Sequence, residues 1–111
     1  MEIINLKSII RQALSELNIP IIPVYYEGTS RKYITFNLIN DSEQEFADDE
    51  AISSEQLTNI HLYYDEDYTS VLNIIKTKLK EVGFSDIQVI FETFENDTKL
   101  YHLTLSAKFE Y

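Results

Sequence analysis

The chain has 111 residues, no Cys, only two Gly and two Pro, and 19 acidic against 9 basic residues, for a formal net charge of −10. Its length suits one domain, residues 1–111, and its 44% hydrophobic content argues against a wholly disordered chain. The missing Cys excludes disulfide scaffolds, thiolate zinc sites and cysteine nucleophiles.

Ile3, Leu6, Ile9, Ile10, Ala13, Leu14 and Leu17 recur at helical spacing, with Lys7, Arg11, Ser15 and Asn18 on the other side. This pattern predicts an amphipathic helix of about four turns. Asn18, Pro20 and Pro23 end it, and Ile19 to Tyr26 should run extended, because residues before proline avoid the helical region. A polar turn, Glu27 to Lys32, leads into a strand over Tyr33 to Ile39, with Ile34, Phe36 and Leu38 on one side.

Asp41 to Ser54 is acidic and weakly patterned, either a hairpin arm or a long loop. Leu57 to Tyr64 reads as a strand, with Thr58, Ile60, Leu62 and Tyr64 opposite Leu57, Asn59, His61 and Tyr63. Asp67 suits a helix N-terminus, and the helix should run from about Tyr68 to Val82. Val71, Leu72, Ile75, Leu79 and Val82 form its apolar stripe, and Gly83 stops it.

Asp86 to Phe94 reads as a strand carrying Ile87, Val89 and Phe91 on one face. An Asn96-Asp97 turn then leads to Leu100–Tyr111, where Tyr101, Leu103, Leu105, Ala107, Phe109 and Tyr111 alternate with polar residues. The expected fold is α+β: a mainly antiparallel sheet of four to five strands with two helices on one face. The order is α-β-β-(β)-α-β-β, the bracketed strand lying in the acidic region.

The charge is localised. Asp41, Glu43, Glu45, Asp48, Asp49, Glu50, Glu55, Asp65, Glu66 and Asp67 fall in one stretch without Lys or Arg. Outside it, acids and bases balance, so direct binding to a nucleic-acid backbone is disfavoured. Asp48-Asp49-Glu50 and Asp65-Glu66-Asp67 could offer oxygen ligands to Mg²⁺ or Ca²⁺, but the spacing matches no calcium loop. Solvated acidic loops are the simpler reading, and Asp67 already has work as a helix cap.

His61 and His102 each sit alone on the polar side of a predicted strand. If those strands were neighbours the imidazoles could meet, yet two ligands without a third make no convincing zinc site. No nucleophile elbow, phosphate loop or helix-borne metal pair is present. The expectation is therefore a non-enzymatic chain with no catalytic, cofactor-binding or metal-ligating residues and no cofactor.

The eight Tyr and six Phe exceed what a small core readily buries. Tyr25, Tyr26, Tyr63 and Tyr64 are candidate subunit-interface residues, because Tyr joins a large apolar body to a polar tip. Ordinary sheet packing is the competing explanation. No charge-free run reaches the ~18 residues of a membrane span, and no signal-peptide pattern opens the chain, so an intracellular, soluble protein is expected.

Several segments together carry a resemblance. The amphipathic helix leads into Ile-Pro-Ile-Ile-Pro-Val-Tyr-Tyr (residues 19–26), then Lys32-Tyr33-Ile34-Thr35-Phe36. Ile60-His61-Leu62-Tyr63-Tyr64 runs to Asp67-Tyr68 and a helix ending Lys80-Glu81-Val82-Gly83-Phe84, and Asp97-Thr98-Lys99-Leu100-Tyr101-His102 opens the last strand. This arrangement resembles the tail-completion, or tail-terminator, proteins of long-tailed phages and prophages, which are sometimes grouped with head–tail joining proteins.

The resemblance covers nearly the whole chain and rests on aromatic and apolar positions. It implies a structural virion protein that assembles with itself as a ring, commonly hexameric, capping the tail tube and joining it to the head connector. It would reside in the virion tail, and in the host cytoplasm during assembly. DNA would pass through the ring without specific binding. Asp41, Glu43, Glu45, Asp48, Asp49 and Glu50 would then face the lumen or rim, where negative charge repels phosphates.

Two other classes compete. One is an acidic inhibitor or DNA mimic blocking a DNA-binding partner, although a mimic wants acids along a long face. The other is a small metal-dependent enzyme built on the acid clusters and the histidines.

Overall fold

The computed structural model describes residues 5–39 and 55–110. The fold is α+β, with a five-stranded, mostly antiparallel sheet and two helices packed on one face in the order α-β-β-β-α-β-β. Residues 40–54, which include the acidic segment read as either a hairpin arm or a long loop, lie outside the described residues.

Helix α1 spans Leu6–Ala13 and starts at Asn5, whose side chain accepts from the Ser8 N–H at 3.2 Å. This satisfies one of the free donors of the first turn. The helix is shorter than its periodicity predicts. After Leu14 the chain tightens into a 3-10 turn, Ser15–Leu17, closed by Asn18 in the left-handed region. Ile3 lies outside the described residues.

Strand β1 is only Ile21–Pro23, parallel to β2 (Tyr33–Ile39). The longer extended run expected to Tyr26 breaks at Val24, which has a φ of 70°. The Tyr25 N–H turns back to the Pro23 carbonyl at 2.7 Å, and a β-branched residue at positive φ cannot continue a strand.

Strand β3, Glu55–Tyr64, pairs antiparallel with β2 on one side and with β5, Leu100–Glu110, on the other. Helix α2, Thr69–Glu81, carries the chain across to β4, Phe84–Glu95, which pairs with the far side of β5. The sheet order is thus β1-β2-β3-β5-β4. Strands β3 and β4 run parallel with β5 between them, a split β-α-β unit.

The core lies between the helices and one sheet face. Ile10 and Leu14 meet Ile75 and Leu79 over Ile34, Phe36, Ile60, Leu62, Leu103 and Leu105, all essentially inaccessible to solvent. Alternation on β2, β3 and β5 places these apolar residues on one side, as the strand period requires. Lys78 of α2 ties the helix layer together through Glu16 at 3.1 Å.

Strand β4 departs from simple alternation. Its register against β5 shifts between Ser85 and Gln88 and again between Val89 and Phe91. Val89 faces Leu105 on the helix side, whereas Phe91 faces Thr104 on the other. The expectation of Ile87, Val89 and Phe91 on one face is therefore corrected. The extra residue in the second bulge, Ile90, reverses every side chain after it.

Candidate functional site

The sheet face turned away from the helices holds a compact group of titratable rings. Tyr26, Tyr33 and Tyr63 follow one another at ring spacings of 4.4 and 4.5 Å, and Tyr63 stacks on His102 at 4.3 Å. The ladder exists because Tyr33 faces Tyr63, and Tyr63 in turn faces His102 across neighbouring strands. Phe91, brought to this face by the β4 bulge, meets the His102 ring edge-on at 6.1 Å.

His61 and His102, read from sequence as solitary strand residues, do meet. His61 faces Thr104, one diagonal step from His102. The His61 Nδ1 lies 3.0 Å from the His102 Nε2. Thr104 Oγ1 is 3.1 Å from the first nitrogen and 3.5 Å from the second. On the far side of its ring, His102 Nδ1 lies 3.3 Å from Glu95 Oε2.

The carboxylate sets the tautomer. Glu95 favours the proton on His102 Nδ1, which leaves Nε2 bare to accept from the His61 Nδ1–H. Burial lowers the pKa of both imidazoles; for His61 the His102 charge adds to this, and for His102 Glu95 opposes it. Burial is also the main cause that raises the Tyr33 and Tyr63 hydroxyls. Both histidines are thus held neutral at physiological pH.

The acidic triplet has other work. Asp65 binds Lys32 at 2.7 Å, and Glu66 lies 3.3 Å from the same ammonium. Asp67 accepts from the Thr69 N–H at 3.0 Å and from its hydroxyl at 2.8 Å, capping α2 one residue before its boundary. These residues line a shallow groove with Tyr68 and Glu92, whose side chains bond each other. Among the described residues, no three His, Cys, Asp or Glu side chains come together as a metal-holding group.

Of the candidate interface tyrosines, Tyr25 is strongly exposed at 69%, while Tyr26 and Tyr63 belong to the ladder. Tyr64 packs against the core beneath the Lys32 ammonium. Asp41, Glu43, Glu45, Asp48, Asp49 and Glu50 lie outside the described residues. No helix among the described residues is long and apolar enough to cross a membrane.

Glu95 and Thr104 were missed as partners of the histidines, because a shared strand face says nothing about which strand lies alongside. The exposed side of β4 was also missed. Its signal was the unbroken Val89-Ile90-Phe91 run, which fits neither strand alternation nor a helix stripe. The chain matches no family model and no curated protein.

Proposed function

We propose that this chain is a structural subunit of a phage or prophage head–tail junction. It would cap the tail tube and join it to the head connector as a homo-oligomeric ring. The observation that carries self-association is the outer strand β4. At twelve residues it is the longest strand among the described residues and ends the sheet they form. It has no Lys, Arg, Pro or Gly, and Ile90 and Phe91 are more than half exposed.

Sheet edges of soluble chains are usually blunted by charge, proline or short length, because unpaired backbone groups recruit another strand. The opposite edge follows that rule: β1 has three residues, includes Pro23 and stops before Val24. Strand β4 carries Asp86, Glu92 and Glu95 and two bulges, yet it is four times as long as β1 and still exposes the Val89-Ile90-Phe91 run. That apolar run suits burial against a neighbouring subunit. In this reading the six acids of residues 41–50 line the lumen or rim of the ring.

Light scattering over a range of concentrations, alone and with the cognate tube protein, tests the reading with Ile90→Lys as the comparison. Larger species that form with the native chain and are lost in the variant are expected. A strict monomer under all these conditions overturns the ring. Flanking portal, capsid and tail-tube genes are the expected genomic setting.

A further inference from the structure

We infer that His61, His102 and Thr104 form a binding site for a single borderline first-row divalent cation of the Zn²⁺ class. The inference rests on the shape of the cluster and is independent of the assembly reading. The His61 Nδ1, the His102 Nε2 and the Thr104 Oγ1 form a triangle with sides of 3.0, 3.1 and 3.5 Å. Tetrahedral zinc with ligands at about 2.0–2.1 Å requires ligand atoms about 3.3–3.4 Å apart. The triangle already has the dimensions of one face of that tetrahedron, to within a few tenths of an ångström.

Three further features favour coordination. Glu95 stands 3.3 Å behind the His102 Nδ1, the outer-shell carboxylate that fixes the tautomer and raises the basicity of a ligating imidazole. The His102 ring is held from one side by Tyr63, at 4.3 Å, and at its edge by Phe91, so little rotamer freedom would be lost on binding. Burial lowers the pKa of both histidines and so favours their neutral forms; His102 Nε2 is then bare, and His61 frees Nδ1 for a metal by moving its proton to its own Nε2.

Two imidazoles and a hydroxyl select the cation class. Nitrogen donors suit Zn²⁺, Ni²⁺ and Cu²⁺, whereas Mg²⁺ and Ca²⁺ want oxygen sets. Binding would replace the His61–His102 hydrogen bond with two coordinate bonds, pinning β3 to β5 at the centre of the sheet. The fourth position would be left to solvent.

Calorimetric titration of the full chain with Zn²⁺ near neutral pH should show one site at micromolar concentration, undiminished by excess Mg²⁺. Co²⁺ should give the visible absorption of a tetrahedral centre. His61→Gln and His102→Gln should each abolish binding, and Glu95→Gln should weaken it about 10–100-fold. Binding retained in either histidine variant, or no heat from the native chain at micromolar Zn²⁺, overturns the site. If a variant fails to fold, the imidazole proton resonances of the native chain decide: both shift on Zn²⁺ addition if the site exists, and unmoved resonances overturn it.

Discussion

Val89 and Phe91 are two positions apart in one strand, yet they point to opposite faces of the sheet. Val89 sits across from Leu105 on the helix side, and Phe91 across from Thr104 on the open side. In an unbulged strand they would share a face. The bulge at Ile90 turns Phe91 towards His102 and leaves an apolar run exposed on the outermost strand.

Because Phe91 is 53% exposed, its energetic weight should be small. Phe91→Ala is expected to change unfolding free energy by less than about 1 kcal/mol, as surface positions usually do. Leu105→Ala, on the strand that pairs with β4 and fully buried, should cost about 2–5 kcal/mol. Urea denaturation of both variants checks the contrast; equal losses would mean that Phe91 is covered.

Thr58 should be replaceable with a gain. It is 1% exposed on the helix-facing side, between Leu38 and Ala107. Its hydroxyl has no hydrogen-bond partner among the described residues, and a buried unpaired hydroxyl is costly. Thr58→Val keeps the shape, removes the unpaired group, and should raise stability by roughly 1 kcal/mol. A lower thermal midpoint in the variant would show that the hydroxyl is satisfied.

Gly83 is required where it stands. Its φ is +114°, and an added Cβ would come within 3.0 Å of the Phe109 ring. Gly83→Ala should therefore destabilise by more than about 1 kcal/mol. Gly28→Ala tests a different constraint, since the Tyr26 side chain occupies the space of its Cβ. That substitution should displace Tyr26 from Tyr33 and alter the tyrosine near-ultraviolet dichroism.

Acid should weaken the fold in two stages. Burial holds His61 and His102 below the ordinary value of 6.5, so the unfolded chain takes up these protons first as pH falls. Their stabilisation is complete above that value and is lost as pH drops through the folded values. The hydrogen bond from Lys32 and the Thr69 backbone N–H hold Asp65 and Asp67, respectively, below 3.8. They act with the same sign, but only in stronger acid. The urea midpoint should begin to fall as the pH drops below about 7, and the fall should be smaller in His61→Gln. An identical fall in the variant would remove His61 as a cause.

Much of this molecule was legible from its residues alone. The alternation along Leu103, Leu105, Ala107 and Phe109 determined which side of β5 is buried, because strand geometry leaves only two sides. The apolar spacing of Ile75 and Leu79 determined a helix and its inward stripe, and Gly83 marked its end. The same alternation placed His102 and Thr104 together on one side of their strand. Which strand would lie beside them was decided only in the tertiary structure. Pairing is a contact between segments far apart in the chain, and β5 enters between β3 and β4, so that His61 meets a residue 41 positions away. The bulges of β4 were likewise decided there. A local period predicts a face until one unpaired residue is inserted, and Ile90 is held as that residue by the register of β5.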